Sequence, residues 1–278
     1  MSTLGGRLPV RRGSIGVSLS AADPEEAGEL ARLGYDALWV SGGRMGSLDR
    51  IAEIVRATER VPVATGIVPL GVYEPAAVAA LHHELSQSHP HRLVLGLGGP
   101  QQRRALAALH GCLDDLDGLG VGAADRLIAA LGPRKLELAR DRSAGAITLL
   151  VTPESTASAR RALGPDALLA VHQMAVLEAD AGRARAVARP TLEFLSRVGG
   201  YRSSFRRMGF TDGEVDALAP RLVDAVVAWG DEDEIAARLR AQQDAGADQV
   251  VLSVLSAGGS VVEEARALAR PLGVLPAG

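Results

Sequence analysis

The residues best suited to chemistry fall in a few short runs. Gly132-Pro133-Arg134-Lys135 places a glycine, an arginine and the only lysine of the chain at the start of an apolar-periodic segment. Free amides at a helix N-terminus suit an anion such as phosphate. Cations oppose the helix dipole there, so they need a reason to occupy that end. The plainer alternative is a solvated first turn. Thr65-Gly66-Ile67-Val68-Pro69 ends a β-branched run with a small hydroxyl, a permissive glycine and bare backbone groups. Ser41-Gly42-Gly43 and Gly96-Leu97-Gly98-Gly99 offer similar material. His172, followed by Gln173, stands where a strand is expected to end. It can serve there as acid, base or substrate contact, or play a structural part.

Other chemistries are poorly supported. No carboxylate pair is placed for glycoside chemistry, and no nucleophile has an evident base. The Gly96 to Gly99 run lacks the third glycine of a dinucleotide fingerprint, because position 101 is Gln, and it follows the fourth strand. Histidines crowd between His82 and His110, yet His83-Glu84 is followed by Gln87, so the i, i+4 pair for zinc is missing and no metal is expected. A rim of glycines, hydroxyls and amides suits a bulky planar cofactor that brings its own reactivity. It equally suits a binding protein or an inert scaffold. The segment 201–210, rich in aromatics and arginines, reads as a lid over the site or as a helix packed on the body.

The elements that must position these runs alternate regularly. Apolar strands are expected at residues 14–19, 35–40, 61–68, 93–100 with a glycine-rich exit, 126–131, 146–151, 167–171 and 245–255. Helices follow them, opened by Asp23-Pro24, Glu74-Pro75, Thr152-Pro153 and Asp231 with Glu234. This pattern predicts an α/β fold, a (β/α)8 TIM barrel, with a doubly wound open sheet as the rival. Residues 180–228 read as several helices inserted after the seventh strand. No linker interrupts the chain, so residues 1–278 form one domain. In a barrel, ligands sit at the C-terminal ends of the strands, and the runs above stand at those ends.

Composition narrows the setting. Aromatics make up only 3% of the chain, so the core must consist of small aliphatic layers. The net charge of −3 is spread without a basic face, which argues against nucleic acid. The lone Cys112 excludes an internal disulfide and suits a reducing compartment. No apolar run has the length of a membrane span or a signal core. A soluble cytoplasmic protein is expected.

The ordered set Tyr35-Asp36-Ala37-Leu38-Trp39-Val40, Val63 to Val68, Arg92 to Gly98 and Leu131 to Ala139 resembles the bacterial luciferase-like monooxygenase superfamily. Arg221 to Asp231, with Ala245-Gly246-Ala247-Asp248, is similar to an actinobacterial branch described as coenzyme F420-dependent oxidoreductases. The resemblance implies a homodimeric luciferase-like barrel binding F420, or alternatively FMN, and a small organic substrate. It implies a bulge after the third strand, with a cis peptide at Gly66-Ile67 behind the cofactor ring. Thr65, Gly66, Ile67, Gly98, Gly99, Gly132, Pro133, Arg134 and Lys135 would hold the cofactor. Ser41, Thr65 and His172 would lie near the reacting atoms. The mouth departs from the family pattern at Pro69-Leu70-Gly71, at Gly99-Pro100-Gln101, at Val171-His172-Gln173 and in a shortened segment between the fourth and fifth strands. Those departures keep open an FMN monooxygenase, or a cofactor-free relative that binds a ligand or partner.

Overall fold

The computed structural model describes residues 8–20, 23–42, 46–99, 105–256 and 258–274. The strands are β1 (Ser14–Ser18), β2 (Ala37–Val40), β3 (Val63–Thr65), β4 (Val68–Pro69), β5 (Leu93–Gly98), β6 (Arg126–Ala129), β7 (Gly145–Leu149), β8 (Leu168–Leu177), β9 (Val227–Gly230) and β10 (Gln249–Val254). All pair in parallel. The ring runs β1-β2-β3-β5-β6-β7-β8-β10 and closes where β10 meets β1. This is the expected eight-stranded barrel, and closure rules out the open sheet.

Between strands lie α1 (Pro24–Arg32), α2 (Asp49–Ala57), α3 (Pro75–Ser88), α4 (Ala105–Gly118), α5 (Pro133–Arg142) and α6 (Pro153–Leu163). The insertion after β8 comprises α7 (Ala181–Ser196), α8 (Tyr201–Arg207), α9 (Asp212–Asp216) and α10 (Pro220–Val226). Then follow α11 (Glu232–Asp244) and α12 (Val261–Ala269). The start signals act as expected: Asp23 accepts from the Glu25 amide at 3.1 Å, and Asp231 with Glu234 closes a capping box. Among the described residues, no helix is long and apolar enough to cross a membrane.

Alternation along the strands separates two cores. One set, including Ala37, Trp39, Ala64, Val94, Leu127, Ile147, Ala170 and Val251, fills the barrel with Leu8 and Val10. The other packs the strands against the surrounding helices. With few large side chains available, Trp39 fills much of the interior, and a Cβ at Gly16 would lie 2.8 Å from its Nε1. That indole nitrogen donates to Gln249 Oε1 at 2.8 Å, and Gln249 Nε2 donates to Ser14 Oγ at 2.9 Å. A third core joins α7 to α10 with Leu150, Met174 and Val227.

Two elements differ from the sequence reading. The seventh strand does not stop at Val171 but runs to Leu177. Its edge pairs with β7 up to His172 and with β9 from Met174 onward, while β10 takes the other edge. Strand β9 begins in the last two residues of the segment read as helical and is not among the expected strands. A strand of four residues next to a helix has too little periodicity to stand out.

The N-terminal end of the barrel is held by buried arginines. Arg126, fully buried, donates to Val121 O at 2.7 Å and to Arg142 O at 3.2 Å, and pairs with Asp117 at 2.9 Å. Arg92 donates to the carbonyls of Val61, Glu59 and Thr58 at 2.7–2.9 Å. Arg160 pairs with buried Asp248, which also accepts from the Leu169 amide at 2.8 Å.

Candidate functional site

The opposite end opens into a cleft of about 1840 Å³. Its walls come from the C-terminal ends of the strands and from the insertion. Ser41, Gly66, Ile67, Gly98, Gly99, Gly132, Pro133, Arg134, Lys135 and His172 all line it. Thr65 does not line it. Its hydroxyl donates to Gly96 O at 2.9 Å and accepts from Gly96 N at 2.8 Å, with no surface exposed. Both hydrogen-bonding capacities are used in tying β3 to β5, so Thr65 acts as a strut.

The bulge after β3 is present. Ala64 pairs with Val94 and Val68 with Leu97, so one more residue is spent on the β3–β4 side than on β5. Every described peptide bond is trans, however, so the cis bond implied at Gly66-Ile67 is absent. The Gly66 amide donates to Val40 O at 2.8 Å, which seats the bulge on β2. The neighbouring glycines make room for Ile67. A Cβ at Gly42 would lie 2.3 Å from Ile67 Cγ1, and one at Gly98 would lie 2.9 Å from its Cδ1. Gly99 is packed on Leu109.

His172 lies within β8, not at its end. Its ring meets Trp39 edge-on, with centroids 4.8 Å apart and planes at 88°. Nδ1 lies 3.4 Å from Ser253 Oγ, and Nε2 is buried with no hydrogen-bond partner among the described residues. Burial pushes its pKa down to about 4, because the imidazolium would lose its hydration. At neutral pH it is a neutral imidazole, able to donate or accept a hydrogen bond. Ser18 and Ser41 place their hydroxyls 3.1 Å apart nearby in the same cleft. Ser253 stands at a strand end that the sequence marks, whereas only tertiary placement singles out Ser18, since an isolated serine carries no sequence signal.

The cleft is polarised. On one side Gly132 caps α5 and Pro133 takes its first turn. Lys135 follows, half-buried, with no ion pair or hydrogen bond to its side chain among the described residues. Desolvation lowers its pKa from the usual lysine range. Arg134 is exposed beside it. Arg207 of α8 donates to Leu131 O at 2.8 Å, and its guanidinium would lie 3.4 Å from a Cβ at Gly132. Residues 201–210 therefore pack on the body and also supply a cation to the mouth. Asp23, Glu25, Glu26 and Glu29 line the cleft after β1, directly across the ring from the β6–α5 joint. Opposite charges thus face each other over a floor of neutral hydroxyls and one imidazole.

No protein-family model and no curated protein matches the sequence. Among solved structures, an F420-dependent secondary alcohol dehydrogenase in complex with an F420-acetone adduct is similar at TM-score 0.71 and 14% identity, covering 93% of this chain and 97% of that one. The coenzyme F420-dependent tetrahydromethanopterin reductase from Methanopyrus kandleri gives TM-score 0.68 at 15% identity, with 92% and 96% covered. The oxygenating constituent of 3,6-diketocamphane monooxygenase from Pseudomonas putida, in complex with FMN, gives 0.61 at 14%, with 95% and 96% covered. At these identities the likeness establishes the fold.

Proposed function

We propose that this protein is a luciferase-like oxidoreductase that transfers a hydride between coenzyme F420 and a small organic substrate. The observation that carries the reading is Lys135: a desolvated cation without a partner among the described residues, at a helix N-terminus, on the wall of a broad cleft. Such a group is stabilised by an anion. F420 is a planar ring with a phosphorylated tail, and a broad cleft with a cation on its wall would take both parts. Lys135, Arg134 and the Gly132 cap would hold the phosphate, and Gly66 and Ile67 would lie behind the ring. When bound, the deazaflavin supplies the hydride donor or acceptor.

The chain's own residues do the rest. His172, neutral and beside Ser253, would hydrogen-bond the substrate oxygen and hold a proton for it. Ser41 and Ser18 add a second pair of hydroxyls, and the apolar insertion wall limits water. We read the chain as one domain of residues 1–278 and the active form as a homodimer. FMN with oxygen is the second reading, supported by the same fold in an FMN-bound monooxygenase.

The test is a fluorescence titration of the purified protein with F420 and, separately, with FMN. Saturable micromolar or tighter binding of F420 with no binding of FMN is expected. Binding of FMN alone moves the reading to a monooxygenase. Binding of neither removes the cofactor and leaves a ligand- or partner-binding relative.

A further inference from the structure

The insertion holds a second cavity, of about 680 Å³, set between the C-terminal half of α7, the start of α8 and the end of α9. That size suits one small ligand, since single-ligand pockets span roughly 300–1,000 Å³. Its charges do not balance. Three guanidinium groups line it, from Arg189, Arg197 and Arg202, against the carboxylates of Glu193 and Asp216. Glu193 takes Arg197 at 2.5 Å, four residues further on. That order along a helix is favoured over the reverse pair with Arg189, four residues before. Asp216 is taken by Arg202, which also donates to Asp212 at 3.1 Å. Arg189 is left over. It is half-buried and has no ion pair or hydrogen bond among the described residues. A guanidinium that has lost part of its hydration without gaining a counter-charge is stabilised by an anion. Elsewhere the lining is apolar, with Val215 and Leu218 buried beside Val198.

We propose that this cavity is a second binding site, which takes a small organic anion by a phosphate or carboxylate head on Arg189 and a short apolar body on Val215 and Leu218. The planar fork of the guanidinium offers such a head two parallel donors. Arg197 and Arg202 keep their carboxylates and add positive charge around it. A neutral molecule of the same shape gains only the apolar contacts, and an ammonium is repelled. Val198, Gly199 and Gly200 border both this cavity and the main cleft, so an occupant shares one turn of chain with the cleft. The site needs no cofactor and does not depend on the oxidoreductase reading.

The experiment is a calorimetric titration with phenyl phosphate, benzoate and the neutral benzamide. It is run on Lys135→Ala protein, so that the cation of the main cleft cannot take the anion. Saturable binding of one equivalent of phenyl phosphate or benzoate is expected, with benzamide much weaker. Tighter phenyl phosphate supports the site with a phosphate head, and tighter benzoate supports it with a carboxylate head. Arg189→Gln should weaken the better anion about tenfold, the value of one charge-assisted hydrogen bond, and Arg189→Lys should retain part of its affinity. Ala217→Glu, at an exposed position on the same lining, should weaken it as much by repulsion. Neither side chain makes a hydrogen bond or ion pair among the described residues, so both variants keep the fold. Anion affinity unchanged in Arg189→Gln or in Ala217→Glu overturns the proposal, as does benzamide binding as tightly as the anions. Anion binding seen in the wild type but lost in Lys135→Ala also overturns it, because the anion then lies in the cleft. The F420 titration is read on the wild type, so failure of either reading leaves the other standing.

Discussion

The two ends of this barrel use the same residue types to opposite effect. At the N-terminal end, the cations are matched. Arg126 is buried among carbonyls and Asp117, Arg92 among the carbonyls before β3, and Arg160 against Asp248. At the C-terminal end, polar groups wait. Lys135 is desolvated without a counter-charge, and the Nε2 of His172 is buried without a partner among the described residues. Matched burial stabilises a fold, whereas unmatched burial costs free energy that a ligand can recover. The difference assigns stability to one end of the barrel and binding to the other, the division that (β/α)8 barrels generally show.

The comparison is broken most directly at its strongest point. Replacing Arg126 by Met strands the buried carbonyls of Val121 and Arg142, while Asp117 keeps Arg142 as a partner, so unfolding in urea should register a loss of about 3–5 kcal/mol. The protein that remains folded should bind cofactor with unchanged affinity. A loss below about 1 kcal/mol would mean that the buried arginines do not hold this end.

His172 comes next. Its pKa is about 4 in the folded protein and near 6.5 in an unfolded chain. The unfolded chain therefore takes up the proton first as pH falls. The histidine's contribution is complete above about pH 6.5 and is lost as pH drops toward 4. His172→Gln removes this slope. Stability measured from pH 7.5 to 4 should fall by roughly 2–3 kcal/mol more in the wild type than in the variant. Parallel curves would show that the ring is not desolvated as the geometry implies.

The smallest effect sharpens the other side. Lys135→Ala should weaken F420 binding about tenfold, the value of one charge-assisted hydrogen bond. Global stability should change by no more than ~0.5 kcal/mol, because no described residue pairs with this cation. Wild-type affinity should also fall as pH rises through the depressed lysine pKa, since the neutral amine no longer attracts the anion. Unaltered affinity in the variant would place the anion elsewhere.

Much of this architecture was readable in one dimension. Strand β2, with Trp39, and strand β5 are short apolar runs bounded by turn residues, and Asp23-Pro24 and Asp231 with Glu234 mark helix starts by local hydrogen bonding. The Gly132 to Lys135 run could be assigned to a helix N-terminus because glycine, proline and the following periodicity act within a few residues. Such features depend on neighbours in the chain, so a single sequence displays them.

What it did not display depends on groups distant along the chain. Thr65 read as a reactive hydroxyl until Gly96 was found to occupy both its hydrogen-bonding capacities. His172 read as a strand terminus because the pairing of Met174 with Val227 that prolongs β8 is set by the insertion. Arg207 reaches the β6–α5 joint across 76 positions. The sequence by itself determined the alternation of strands and helices, the caps and the small-residue rim, since these follow from backbone preference and local periodicity. The tertiary structure alone decided which polar groups are satisfied and which remain open to a ligand, because desolvation and hydrogen-bond pairing are properties of what surrounds a group in space.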